Sequence, residues 1–261
     1  MSENKQKTIV INGATGGIGR AIAQKLAKQG YALTLVGRDA DKLTSVKQEL
    51  HALGNNNIST FAFSHVGKEA IFAVAQKILQ EREGVYAYIN SAGYVKQGGV
   101  LEVSDKDWED LFKVSLMSNI WFISALAENM MKNNEGRIIL VNGVFSVEPS
   151  PDVIINSTLT GAVRNFAKAL SKDFGRHKIT VNTINPSATD TILWKNIVTT
   201  LASKLGISEE EMHEKSTAGI PLNRIATPED VANCAAYLCS KEAAFINGVG
   251  LILDGGMTAS C

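Results

Sequence analysis

The sequence predicts a single doubly wound α/β domain, a parallel seven-stranded sheet with helices on both faces. Three observations carry that expectation. Short β-branched runs alternate with helix-period runs along nearly all of the 261 residues, the order that right-handed βαβ units demand. A glycine-rich turn joins the first strand-like run to the first helical one. No Pro/Ser-rich linker, internal repeat or low-complexity segment divides the span 1–261.

TIVIN (Thr8–Asn12) is short, β-branched and bounded by glycine, as a buried strand should be. From Gly17 to Gln29, Ile18, Ile22 and Leu26 recur every four residues on one helical face. Tyr31–Gly37, Ile58–Phe63 and Val85–Asn90 read as the next strands, separated by helices over Asp41–Leu53 and Lys68–Gln80. One long helix is expected over Asp107–Met131, then a strand at Arg137–Asn142, a helix at Ile154–Phe174, and strands at Ile179–Asn185 and Val249–Leu253. The stretch Ile192–Gly219 breaks the rhythm with an acidic cluster, Glu209–Glu211. An insertion there, past a strand's carboxyl end, is expected to cover the binding crevice like a lid. A solvated helical pair is the plainer alternative.

Lys and Arg number 26 against 26 Asp and Glu, so net charge is zero. That balance argues against a broad basic footprint for nucleic acid or an anionic membrane. No apolar run approaches the roughly 18–20 residues that span a bilayer. The polar opening MSENKQK reads as no signal peptide. Cys234, Cys239 and Cys261 have no zinc-type spacing, and His51, His177 and His213 have no paired acids, so no metal is expected. A reducing cytoplasm is the expected compartment.

The turn NGATGGIG (Asn12–Gly19) has glycines where a strand must deliver a helix N-terminus. Glycine lets backbone approach a ligand without a Cβ in the way. The helix end then offers free N–H groups and a positive dipole to a pyrophosphate. Gly13, Thr15, Gly16, Gly17, Ile18 and Gly19 are therefore candidate cofactor-binding residues. After the second strand come Gly37, Arg38 and Asp39. Arginine there pairs a ribose 2′-phosphate, whereas a carboxylate binds the free 2′-hydroxyl. Asp39 suits the cap of the next helix, so Arg38 favours NADP(H) over NAD(H).

These motifs resemble those of the short-chain dehydrogenase/reductase superfamily, nearest its ketoacyl-reductase-like branch. NSAG (Asn90–Gly93) resembles the family's N-N-A-G, and INPSATDT (Ile184–Thr191) its P-G segment. Gly219–Gly256 is close to the family's terminal helix and strand. The resemblance implies a Rossmann-type fold, a nicotinamide cofactor and usually a homotetramer. It adds Asn90, Ala92, Gly93, Pro186 and Thr191 to the cofactor-binding set. Two departures touch binding: His65 stands where the family has an adenine-side Asp, and Ser187 stands where it has glycine.

The family's reaction uses a serine, a tyrosine, a lysine four residues later and a relay asparagine. Hydride delivered to a carbonyl makes an alkoxide, and something must protonate it. Counting from GRIILV, NFAKAL and Trp108, those positions fall on Gly143, Asn156, Thr160 and Ser115, with Asn119 a turn beyond Ser115. All four are replaced, so no tyrosine followed four residues later by lysine stands at 156 and 160. Of the five tyrosines, Tyr94 is the one expected near the nicotinamide, and packing under the lid is its plainer role. Asparagine donates a hydrogen bond but is no acid at neutral pH.

Three function classes remain open. An oxidoreductase would act on a small carbonyl/alcohol or imine by non-standard proton handling, with water held by Asn142, Asn156, Ser157 or Thr160. A catalytically inactive relative would bind the cofactor as sensor or subunit partner. A non-redox enzyme would use Asn142 and Asn156 to hold an oxyanion.

Overall fold

A computed structural model of the chain describes residues 7–63 and 66–259. His65 and Cys261 lie outside the described residues. Seven parallel strands form one sheet: β1 (Thr8–Asn12), β2 (Ala32–Gly37), β3 (Ile58–Ala62), β4 (Val85–Asn90), β5 (Gly136–Val141), β6 (Ile179–Pro186) and β7 (Gly250–Leu253). Their order is β3-β2-β1-β4-β5-β6-β7, the doubly wound parallel sheet expected from the alternation of elements. β1 lies between β2 and β4, with Ile11 beside Leu35 on one side and Ile89 on the other.

Strand alternation sorts the core into two layers. Ile9, Ile11, Leu33, Leu35, Ala87 and Ile89 face one side, under α1 (Gly17–Lys28), α2 (Ala40–Ala52) and α9 (Pro228–Cys239). Val10, Val36, Val85 and Tyr88 face the other, under α3 (Lys68–Glu81), α5 (Ser118–Asn133) and α6 (Ile154–Phe174). Both faces of the sheet are therefore apolar, which is why its strands read as continuous hydrophobic runs.

The single helix expected over Asp107–Met131 is interrupted. α4 (Asp105–Leu111) passes into a π-helical segment, Phe112–Met117, before α5 begins. The wider turn disturbs the regular i+4 pairing of its carbonyls. Two side chains compensate: Ser118 Oγ donates to the Val114 carbonyl, and Asn119 Nδ2 donates to the Ser115 carbonyl at 2.8 Å. Hydrophobic periodicity alone does not register such a bulge. The adjacent polar pair Ser118–Asn119 in mid-helix was its only trace in the sequence.

The irregular stretch after β6 contains α7 (Ile192–Leu205) and α8 (Glu209–Ala218). It returns through an isolated bridge between Thr189 and Ala226. No helix among the described residues is long and apolar enough to cross a membrane.

Candidate active site

Strand order reverses between β1 and β4, and in open α/β sheets the crevice at such a point, beyond the strands' carboxyl ends, takes the ligand. Here those ends are Asn12 and Asn90, whose side chains pair, Asn12 Nδ2 donating to Asn90 Oδ1 at 2.8 Å. Ser91 Oγ donates to the carbonyls of Asn12 and Gly13 at 3.1 and 3.3 Å. Gly13 N–H donates to Val36 O at 3.0 Å. The glycine turn is thus tied to both neighbouring strands.

Close approach explains the glycines. Gly13 has φ +80°, and a Cβ there would sit 2.6 Å from Ala92 N. A Cβ on Gly19 would collide with the Gly13 carbonyl and lie 2.5 Å from Ser91 Oγ. On Gly17 it would lie 2.8 Å from Thr191 Cγ2. Gly93 has nothing within 4 Å of such an atom, so that backbone borders open space.

The start of α1 suits an anion. Its N-cap, Gly16, supplies no side-chain acceptor, and its first turn has no acid. Helices α2, α4, α7, α8 and α9 are instead capped by side-chain oxygens of Asp39, Ser104, Thr191, Ser208 and Thr227. Gly16 and Gly17 are exposed, with Thr15 and Ile18 half-buried beside them. The uncapped N–H groups and the dipole fit a pyrophosphate.

Arg38 and Asp39 take separate roles. Asp39 Oδ1 accepts from Lys42 N at 3.0 Å and Oδ2 lies 3.3 Å from Lys42 Nζ. That cap, through the Lys42 backbone N–H above all, holds the carboxyl below its usual range. Arg38 is exposed at the end of β2 and pairs with no acid among the described residues.

The four positions that match the family's catalytic set are wired differently. Asn156, at the tyrosine position, is buried; its Oδ1 accepts from Lys96 N and its Nδ2 donates to Tyr94 O, both at 2.9 Å. One carboxamide thus meets residues i and i+2 of an extended segment, as a neighbouring parallel strand would. Gly98 continues the docking with a bridge to Val153. Thr160, at the lysine position, donates Oγ1 to Asn156 O at 2.7 Å. Gly143, at the serine position, would carry its Cβ 3.7 Å from Thr160 Cγ2, ordinary contact. Ser115, at the asparagine position, lies in the π segment with its carbonyl bonded to Asn119.

Asn142 and Ser157 are also committed. Asn142 Nδ2 donates to Thr160 O at 3.0 Å and Asn185 Oδ1 at 3.1 Å, which occupies both amide hydrogens. Asn185, fully buried, also accepts from Ser146 Oγ. Ser157 Oγ is bonded to the backbone of Ser150 in both directions. Asn142 therefore has no N–H left for an oxyanion, and the polar groups expected to hold water chiefly hold the protein. Asn119 is equally committed, accepting from Tyr88 OH at 3.5 Å.

Tyr31, Tyr86 and Tyr88 are buried in the core. Tyr31 and Tyr86 both donate to Cys239 O, and burial above all raises their phenols, Tyr31 to about 12. Tyr94 is the partly exposed tyrosine of this loop, 38% accessible. Desolvation, then Asp110 and Asp107, raise its pKa, the opposite of activation.

At the far side, Pro186 closes β6, and Thr191 caps α7 by accepting from Trp194 N at 3.2 Å. Sequence reasoning missed Asn185 and Lys96. A carboxamide at the end of a buried strand signals a hydrogen-bonded group, which was the available clue to Asn185. Lys96, whose ammonium pairs with Asp107 at 3.0 Å, had none.

The sequence profile of the family described as Enoyl-(Acyl carrier protein) reductase matches residues 13–258. The chain is 32% identical over 260 residues to NADPH-dependent reductase BacG of Bacillus subtilis (strain 168), covering 98% of this chain and 99% of that protein. It is 30% identical over 257 residues to Nodulation protein G of Rhizobium sp. (strain N33), covering 98% and 99%. Among solved structures, YwfH, an NADPH dependent reductase involved in bacilysin biosynthesis, superposes with TM-score 0.92 at 29% identity, covering 98% of this chain and 100% of that one. L-sorbose reductase from Gluconobacter frateurii, complexed with NADPH and L-sorbose, superposes with TM-score 0.93 at 27% identity, covering 99% and 98%.

Proposed function

The chain belongs to the short-chain dehydrogenase/reductase superfamily, a family of oxidoreductases, and from that premise we propose an NADP(H)-dependent enzyme that moves hydride to or from a small carbonyl/alcohol or imine by non-standard proton handling. The observation that carries the cofactor is the α1 N-terminus without a side-chain cap, together with an exposed Arg38 that pairs with no acid among the described residues and Asp39 turned to capping α2. Gly13, Thr15, Gly16, Gly17, Ile18 and Gly19 would hold the diphosphate, Arg38 the 2′-phosphate, and Asn90, Ala92, Gly93, Pro186 and Thr191 the nicotinamide half. Bound there, NADP(H) supplies or takes the hydride.

The chain's own residues limit the substrate. No tyrosine–lysine pair stands at 156 and 160 to protonate an alkoxide, a loss of roughly 10²–10⁴ in rate for a carbonyl. A protonated imine avoids that loss. When it takes hydride at carbon, the π pair moves to nitrogen and the product is a neutral amine. Proximity and orientation remain available in either case. The test is NADPH oxidation against panels of small carbonyls and cyclic imines; turnover in either supports the enzyme, and silence across both removes it.

A second reading is favoured by the internal hydrogen bonds of Asn142, Ser157 and Thr160: a catalytically inactive relative that binds NADP(H) as sensor or subunit partner. Tight NADPH binding without turnover, plus a stable hetero-complex on pull-down, selects it. Two further expectations stand, a homotetramer from the family resemblance and a cytoplasmic location from the cysteine usage. Light scattering tests the first and cell fractionation the second.

A further inference from the structure

Hydrogen-bond polarity fixes the direction of one carboxamide at the reaction centre. Leu251 O is a backbone carbonyl and can only accept, so Asn185 turns Nδ2 toward it and toward Thr183 Oγ1. Asn185 Oδ1 therefore faces Asn142, which must answer with Nδ2. The Thr160 carbonyl, also an acceptor alone, demands the same. Both amide hydrogens of Asn142 are spent on that side, and Oδ1 points away from it. This oxygen makes no bond within the chain and is not buried, Asn142 itself being half-buried. It stands just past the carboxyl end of β5, beside β4, where Asn90 is in register with Leu140. The hydroxyl hydrogens around it are spent within the chain: Thr160 on Asn156 O, Ser146 on Asn185 Oδ1 and Ser157 on Ser150 O. Toward Gly143, Thr160 presents its methyl.

We propose that Asn142 is a substrate-specificity residue whose Oδ1 accepts a hydrogen bond from the N–H of a protonated imine, so that the crevice takes iminium substrates in preference to carbonyls. This rests on the hydride-transfer reading above and narrows it. A fixed acceptor meets a carbonyl oxygen, or the bare nitrogen of a neutral imine, lone pair to lone pair, and disfavours both. It meets an iminium N–H in a charge-assisted bond. When hydride adds to the iminium carbon, the π pair moves to nitrogen and that N–H stays where it is. The contact therefore holds the ligand from iminium to amine, and no proton is asked of the chain.

The experiment is calorimetric titration of the NADPH complex with three ring probes that cannot accept hydride. Pyrrolidinium carries charge and N–H, N,N-dimethylpyrrolidinium carries charge alone, and tetrahydrofuran offers only oxygen lone pairs. Pyrrolidinium is expected to bind at least about ten-fold more tightly than either of the others. Asn142→Leu keeps the branched shape and removes the oxygen. In it the pyrrolidinium advantage should fall below about two-fold while NADPH affinity holds within about two-fold. Equal binding of the two cations by the unaltered protein overturns the proposal, because charge alone then explains recognition. A preference for tetrahydrofuran, uptake of no probe, or an advantage that survives Asn142→Leu overturns it as well. Should Asn142→Leu fail to fold, Asn142→Ala takes its place, and the ranking of probes by the unaltered protein decides by itself. NADPH uptake with equal probe binding removes this proposal and leaves the cofactor reading standing. No NADPH uptake removes both.

Discussion

The two halves of the crevice use polar atoms in opposite ways. On the β1–α1 side, the backbone N–H groups that open α1 at Gly17 lack a side-chain cap, and Arg38 pairs with no acid among the described residues. On the β5–α6 side, Asn142, Asn156, Ser157 and Thr160 all bond to other parts of the chain. One half retains unsatisfied donors, the signature of a site awaiting an anion. The other has turned reaction-centre positions into structural ties. On the proposed reading, binding and catalysis stand on separate elements of this fold, and one is kept while the other is rebuilt.

The largest expected effect breaks the first half. Gly19→Ala drives a Cβ into the Gly13 carbonyl and Ser91. The Gly13 carbonyl is backbone and cannot swing aside as the Ser91 hydroxyl can. Overpacking of this kind costs about 3 kcal/mol, and the turn can relieve it only by losing its shape. NADPH binding is expected to vanish in calorimetry while circular dichroism still reports a folded α/β protein. Retention of binding would separate the turn from the ligand.

Arg38→Ala comes next. A charge-assisted bond to phosphate is worth about 1.5–3 kcal/mol, so NADPH binding should weaken roughly 10- to 100-fold. NADH, with no 2′-phosphate, should change less than about three-fold. Equal losses for both would return Asp39 to consideration, although its carboxylate is engaged by Lys42.

Asn156 sharpens the comparison from the other side. Asn156→Ala removes both bonds to the segment Tyr94–Lys96, at about 1–3 kcal/mol for a pair of part-buried hydrogen bonds. The Lys96 amide should then exchange with solvent at least tenfold faster, while NADPH affinity holds within about two-fold. Asn156→Asp keeps an acceptor for Lys96 N–H and should preserve much of that protection. Unchanged exchange in the alanine variant would show that Gly98–Val153 pairing alone holds the segment.

Legibility in the sequence follows the same division. Strands such as TIVIN are apolar on both faces, and the turn Asn12–Gly19 needs glycine for backbone reasons, so local residue types reveal both. The cap that Asp39 makes on α2 was legible because Asp just before a helix commonly takes that place. The four replaced positions were legible as replacements through spacing from Trp108, GRIILV and NFAKAL. Their actual bonds were not. Asn156 meets residues 60 and 62 positions away, and Asn142 meets Asn185 across a strand boundary. The π segment was hidden because one inserted residue barely perturbs hydrophobic periodicity over a long helix.

The smallest expected effect lies outside both halves, where the chain returns from α8 to α9. Asp230 accepts from Arg224 Nη1 at 2.6 Å and Nη2 at 3.2 Å, and completes a capping box with Thr227. Arg224 first, and the Thr227 bonds after it, hold the carboxyl at about 2. A carboxyl depressed in the folded state stabilises the fold at pH values above its unfolded pKa of about 4. That contribution is lost as pH falls from about 4 toward 2. The pair is partly exposed, so salt and water screen much of it. Arg224→Ala should lower the urea midpoint modestly at pH 7, and the gap from the unaltered protein should narrow by pH 2.5. A gap constant across that range would mean that Arg224 stabilises this corner through its aliphatic stem, with no part for the charge.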